Sequence, residues 1–156
     1  MNNKLKRFSK FIVSLSYIGF FPFAPGTIAS LATIFVWIIF VKLNIELYFF
    51  ILVILALITS FYLIDLYLID KNKKDPKEIV IDEFVGQSIP LLLVPITYDI
   101  ISLFLIFIFF RFFDILKIYP INLFDNMSGS KGVMLDDIMA GIYTTIIVIM
   151  IEVFIL

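Results

Sequence analysis

The charges along this chain are clustered, and the gaps between them define its elements. Residues 11–41 carry no Asp, Glu, Lys or Arg, and neither do 47–64, 84–98, 100–110 or 138–151. A helix that crosses a bilayer needs about 20 predominantly apolar residues. On that scale 27–43 is a short candidate span, 45–69 a long one with Asp65 near its end, and 138–156 a third. The stretch 84–113 is too long for one span, and Pro90, Pro95 and the Thr97-Tyr98-Asp99 group interrupt it. It reads as a hairpin of two helices, 84–94 and 100–113, with a turn at 95–99. The first of these rises only about 16 Å, so a half-span buried against its neighbours is expected. Residues 8–23 are apolar and aromatic but stop at Pro22 and Pro25. The segment 1–23 is therefore expected to lie at the interface or to re-enter the bilayer. Its apolar run continues past any plausible cleavage point, which argues against a removed signal peptide.

Composition changes this picture from a set of apolar helices to a membrane protein. The chain has 156 residues, 62% hydrophobic and 16% charged, against roughly 45–50% and 25% in a soluble domain. It has too little polar side chain to cover its own surface, so lipid must solvate part of it. The expected fold is all-α: a small polytopic helical bundle of about four to five membrane helices, formed as one domain over 1–156. Net charge is −1, which gives no bulk field for nucleic acid. The partner to expect is the bilayer.

Charge distribution orients the bundle. Lys4, Lys6, Arg7 and Lys10 precede the first span; Lys71, Lys73, Lys74 and Lys77 follow the second; Arg111, Lys117 and Lys131 follow the hairpin. With the N-terminus cytoplasmic, these eleven of the twelve basic residues fall on one side and only Lys42 on the other, as the positive-inside rule requires.

Histidine and cysteine are both absent. That excludes Cys/His zinc sites, disulfides, thiol nucleophiles and histidine bases. The remaining candidate groups gather at the cytoplasmic ends of the spans. Pro25-Gly26-Thr27 through Ser30 opens the first span, Asp82-Glu83 opens the hairpin, Arg111, Asp114 and Lys117 close it, and Asp136-Asp137 opens the last span. Each has a plain alternative. Paired acids at helix starts can be caps; Arg111, Asp114 and Lys117 at i,i+3 spacing can be an ion-pair ladder; Thr27 and Ser30 can be caps. Against that, paired acids at two helix starts exceed what capping needs, and carboxylate oxygens suit hard cations. Arg111 and Lys117 can clamp a phosphate, and a helix start after Pro25 favours an anion. Ser128-Gly129-Ser130-Lys131-Gly132 reads as a flexible loop, either a linker or a phosphate-approaching one. Asp65, Asp70 and Asp125 read as structural or solvated. Glu46, Asp99 and Glu152 fall on the far side. An ion path through the bilayer would need polar groups at depth, whereas these acids collect at one end.

The ordered blocks Pro25-Gly26-Thr27-x-x-Ser30, Ile81-Asp82-Glu83-Phe84-Val85-Gly86-Gln87, Phe110-Arg111-Phe112-Phe113-Asp114-Ile115-x-Lys117, Pro120-Ile121 and Gly132-Val133-Met134-Leu135-Asp136-Asp137-x-x-Ala140-Gly141 resemble the phosphatidylglycerophosphatase A family over about residues 14–150. The resemblance implies a Mg²⁺-dependent lipid phosphatase of the bacterial cytoplasmic membrane. Such an enzyme converts phosphatidylglycerophosphate to phosphatidylglycerol, the last step of that lipid's synthesis. It implies metal ligation by Asp82, Glu83, Asp136 and Asp137, and substrate binding by Thr27, Ser30, Arg111 and Lys117. Asp82, Arg111, Asp114, Lys117 and Asp137 are the implied catalytic set, with metal-activated water as the favoured nucleophile and an Asp carboxylate as the alternative. A relative acting on another lipid phosphate would share these residues. Two positions depart from the family pattern. Lys117-Ile118 stands where Lys-Pro is usual, so the helix is expected to run slightly past Lys117. Gly129-Ser130 stands where the family has a glycine pair.

Overall fold

The computed structural model describes residues 3–69, 71, 76–95 and 99–154. Asp70, Lys73, Lys74, Thr97-Tyr98 and the end of 138–156 beyond Phe154 lie outside the described residues. The described chain is helical without strands: α1 Asn3–Val13, α2 Pro25–Lys42, α3 Glu46–Leu68, α4 Ile81–Leu93, α5 Ile100–Leu116, α6 Ile121–Asp125 and α7 Ser130–Phe154, with a 3-10 turn at Ile18–Phe20. Among these, α2, α3 and α7 are long and apolar enough to cross a membrane. Their outward faces carry large apolar side chains such as Phe35, Leu47 and Ile58, each about two-thirds exposed. An apolar surface of that extent is a surface for lipid.

The central element is α4. It is 13 residues long, about 20 Å at the α-helical rise, and nearly every residue from Ile81 to Leu91 is buried. Helices α2, α3, α5 and α7 pack around it, so a helix too short to span is satisfied by protein on all sides. Trp37, Phe49 and Phe84 meet edge to face at its amino-terminal half, with ring centroids 5.0 and 6.1 Å apart along the chain of three.

Pro90 lies inside α4, within the 84–94 helix read from the sequence, and three boundaries differ from the expectation. A proline there has no N–H for the carbonyl of Gly86 four residues back, and neighbouring α7 takes up that carbonyl's space, as described below. Asp82-Glu83 sit in the first turn of α4, after Val80 at the cap. Helix α7 starts eight residues early, at Ser130, so Ser130-Lys131-Gly132 is its first turn and not a loop. Asp65 makes that start possible: its Oδ1 accepts the Ser130 backbone N–H at 2.8 Å, satisfying an orphan amide from across the bundle. Finally, α5 stops at Leu116; Lys117 takes a left-handed φ of 46° and donates its N–H to Phe113 O. It ends the helix instead of extending it.

The N-terminal segment is an amphipathic helix laid on the carboxyl-terminal end of α3. Ser9 Oγ donates to Leu63 O at 2.7 Å, Ser9 and Val13 are fully buried, and Leu5, Phe8 and Phe11 face outward. Val80 N–H donates to Val13 O at 2.9 Å, which ties the approach to α4 to this helix.

Candidate functional site

Two glycines set the geometry. A Cβ on Gly141 would lie 2.4 Å from Gly86 O, and one on Gly86 would lie 2.6 Å from Asp137 O. Helices α4 and α7 can therefore approach this closely only without side chains at those two positions. Gly86 follows Asp82 by four residues and Gly141 follows Asp137 by four, so each glycine lies one turn below an acid on the same helix face. Close packing at the glycines brings the acids above them together. One ligand oxygen each from Asp82, Glu83 and Asp137 lie within 4.8 Å of one another.

A third glycine seats the trio against α2. A Cβ on Gly26 would be 2.0 Å from Glu83 Oε1 and 3.4 Å from Arg111 Nη1. Ala24, with φ 42°, and Pro25 at the first helical position start α2 here. Pro at that position gives up only an N–H that had no helical partner.

These residues line a cavity of about 570 Å³, together with Thr27, Asp114, Lys117, Asp136 and the Phe20-Phe21-Pro22 loop. Arg111 Nη1 donates to Asp114 Oδ2 at 2.7 Å, i to i+3 on α5, and both side chains are about 85% buried. Arg111 also reaches Ser30 Oγ at 3.5 Å, the outer limit for a hydrogen bond. Lys117 Nζ is shared between Asp125 and Asp136, the latter at 2.7 Å. Burial disfavours its charge, and the two carboxylates outweigh that, holding Lys117 above the ordinary lysine range. Asp136 Oδ1 accepts the Asp137 backbone N–H at 3.0 Å.

All but one of the sequence-expected groups reach this cavity. The exception is Ser30, fully buried behind Arg111 and donating to Gly26 O at 3.0 Å. Asp136 reaches the cavity wall but not the trio: it is turned to Lys117. Lys117 is correspondingly engaged with two carboxylates. The structure adds Asp125, which anchors Lys117, and the Gly86–Gly141 contact. Neither is visible in local spacing, because each depends on which helices meet.

The donor set fits a hard cation. Glu83 Oε2 and Asp137 Oδ2 are buried and accept no hydrogen bond among the described residues. Buried carboxylate oxygens in that state are costly, and crowding three such groups adds repulsion. Six carboxylates line the cavity against three cations, Lys77, Arg111 and Lys117. An anion entering it needs added positive charge, which oxygen-ligated divalent ions supply. Arg111 Nε, also buried without a hydrogen bond, is a donor available to that anion.

Residues 11–152 match the family described as Phosphatidylglycerophosphatase A. A Haemophilus influenzae protein named Phosphatidylglycerophosphatase A is 37% identical over 97% of this chain and 96% of its own. An Escherichia coli protein of the same name is 38% identical over 80% of this chain and 72% of its own. A Bacteroides thetaiotaomicron protein with the provisional name phosphatidylinositol-3-phosphatase is 36% identical over 83% and 84%. No solved structure matches the chain significantly.

Proposed function

Because the chain belongs to the phosphatidylglycerophosphatase A family and is a membrane phosphatase, we propose that it hydrolyses phosphatidylglycerophosphate to phosphatidylglycerol and phosphate with Mg²⁺. On this reading the reaction completes phosphatidylglycerol synthesis at the cytoplasmic face of a bacterial inner membrane, with the N-terminus on that face. The observation that carries it is the convergence of Asp82, Glu83 and Asp137 across one cavity from Arg111.

Asp82, Glu83 and Asp137 would hold the cation, with Asp136 at its margin. A divalent ion bound there would supply positive charge against the phosphoryl oxygens and lower the pKa of a water nucleophile. Arg111 binds the phosphate through the donors its pair with Asp114 leaves open. Thr27, at the amino end of α2, adds a hydroxyl on the same wall. Ser30 acts through Arg111, limiting where the guanidinium can lie. Asp114 fixes Arg111 and is placed to orient the attacking water. Lys117, fixed by Asp125 and Asp136, contributes positive charge beside the phosphoryl group without having to be recruited from solvent. Phosphomonoester hydrolysis is mostly positioning and electrostatics, and this side-chain set supplies both without histidine or cysteine.

The test is phosphate release by purified protein from phosphatidylglycerophosphate and from phosphatidate, each with Mg²⁺ and with EDTA. Mg²⁺-dependent release from the first, exceeding the second, is expected; no release from the first overturns the proposal. Phosphatidylinositol 3-phosphate belongs in the same assay, since one relative carries that substrate in its name. Preferential release from it would move the substrate assignment while keeping the site.

A further inference from the structure

On the other side of the α4 amino end lies a second void, about 340 Å³, bounded by α1, α2 and α3. It exists because small side chains face one another there: Ala29 and Ala32 on α2, Ala56 on α3. Phe11 and its neighbours at the end of α1 roof the gap without filling it.

The void has little to hold water. The Thr33 hydroxyl donates to Ala29 O at 2.8 Å and that of Thr59 to Leu55 O at 2.7 Å, so both donors are engaged by their own helices. The remaining hydroxyl of the lining, Ser16, is at the exposed rim. A trapped water needs about two to four polar partners, and the two threonines offer only leftover acceptor lone pairs in an otherwise apolar lining. A groove of this kind takes an apolar occupant, and its size falls in the range of roughly 300–1,000 Å³ common to small-molecule sites.

The walls say which occupant. Ile81 and Phe84 line the groove, and they bracket Asp82 and Glu83, which line the acidic cavity. Ile18 lines one void and Gly19 the other. The two spaces thus share the first turn of α4, the 3-10 turn and the start of α2. A molecule with an anionic head in one and a hydrocarbon tail in the other fits both. The helices bounding the groove, α2 and α3, are two of the three long enough to span, so the tail reaches it from the lipid phase.

We propose that the α2–α3 groove is a subsite for an acyl chain of the lipid phosphomonoester whose headgroup occupies the acidic cavity. The assignment rests on the phosphatase reading above. It makes the groove the part of the enzyme that distinguishes a lipid phosphate from a soluble one. Chain burial there holds the headgroup at the carboxylates, so a filled groove raises KM for long-chain substrate more than it lowers kcat.

Ala56→Phe and Ala32→Phe fill the groove from opposite walls; Ile58→Phe adds the same bulk on the outward face of α3, where Ile58 is 67% exposed. Each is assayed on dihexanoyl and dipalmitoyl phosphatidylglycerophosphate in mixed micelles. The expected result is a loss of about tenfold in kcat/KM for the dipalmitoyl lipid, equivalent to about two methylenes left unburied. The dihexanoyl lipid and Ile58→Phe should be unaffected. Equal losses on both chain lengths, or none on either, overturn the subsite.

A second readout does not need turnover. Phosphatidate and phosphatidylcholine, each with a diazirine in one acyl chain, are photolysed with wild type and Ala56→Phe. Labelling of 29–36 and 52–59 by the phosphatidate, beyond that by the choline lipid and reduced in the variant, supports the subsite. Equal labelling by both lipids makes the groove a site for bulk lipid and overturns it. If wild type labels this way yet releases no phosphate from any lipid, it is the phosphatase reading that fails.

Discussion

Replacing Gly86 with alanine tests whether the spacing of α4 and α7 is what builds the acidic trio. In an isolated helix the change gains up to about 1 kcal/mol from propensity. Here the added Cβ would lie 2.6 Å from Asp137 O, 2.9 Å from Asp137 C and 2.8 Å from a Phe110 ring carbon. Ordinary contact begins at 3.4 Å, so the Asp137 backbone must retreat by about 0.8 Å. A side-chain end could swing aside; a helical carbonyl cannot, so α7 moves as a body and takes the Asp137 carboxylate with it. Overpacking of this kind costs about 1–3 kcal/mol, which the propensity gain partly offsets, leaving a folded protein with modestly lower stability. The activity effect is larger, because a misplacement near 1 Å at a reacting centre costs on the order of 100-fold. The assay is kcat for phosphate release, alongside the thermal midpoint in detergent and Mg²⁺ affinity by calorimetry. The expected result is a kcat lower by about two orders of magnitude with weakened metal binding and a small drop in midpoint. Wild-type kcat in a folded Gly86→Ala protein would refute the argument that glycine contact sets the site.

Gly26→Ala separates geometry from stability differently: its Cβ meets a flexible carboxylate, 2.0 Å from Glu83 Oε1, so activity should fall sharply with the thermal midpoint unchanged. Asp137→Asn in folded protein should abolish Mg²⁺-dependent release and calorimetric Mg²⁺ binding together; full activity would remove Asp137 from the site. Lys117→Met leaves Asp136, only 7% exposed at its side chain, without its cation; discounting for the partial exposure of Lys117, a loss of about 1–3 kcal/mol is expected in unfolding. Adding Asp136→Asn should restore part of that stability but not the activity, a non-additivity expected of groups in contact. Asp65→Ala removes the acceptor at the Ser130 amide and should cost about 1 kcal/mol, seen as a lower midpoint with kcat little changed.

The parts legible in the sequence are those governed by local rules. Charge-free intervals located α2, α3 and the α4–α5 hairpin to within a few residues, since hydropathy alone decides whether a segment can sit in lipid. Boundaries failed where a distant group intervened. Nothing near Ser130 indicates a helix start, because the acceptor for its amide is Asp65, on another helix. Pro90 stays inside the 84–94 helix read from the sequence, and the Gly86 carbonyl four residues before it is packed against Gly141 on α7. The acceptor that fixes the Ser130 start lies far away in the chain.

The same distinction decides which acids form the trio. Both acidic pairs are adjacent residues, and neighbours on an α-helix point about 100° apart. Two adjacent aspartates therefore cannot both face one point on a neighbouring helix. Asp137, on the face that carries Gly141, turns to α4. Asp136, about 100° around, turns to Lys117 at the end of α5. The Asp82-Glu83 pair escapes this limit because Glu83 has one more methylene and because Gly26 leaves space for its carboxylate against α2. A sequence reading that counts acids gives four candidate ligands; one that also counts helix angle and side-chain length gives three candidates and one carboxylate paired with a lysine. Glu83→Asp distinguishes these directly. The charge is kept, but the shortened side chain cannot come around the helix, so Mg²⁺ affinity and kcat should both fall. Retention of both would mean that Asp136, not Glu83, completes the cation site.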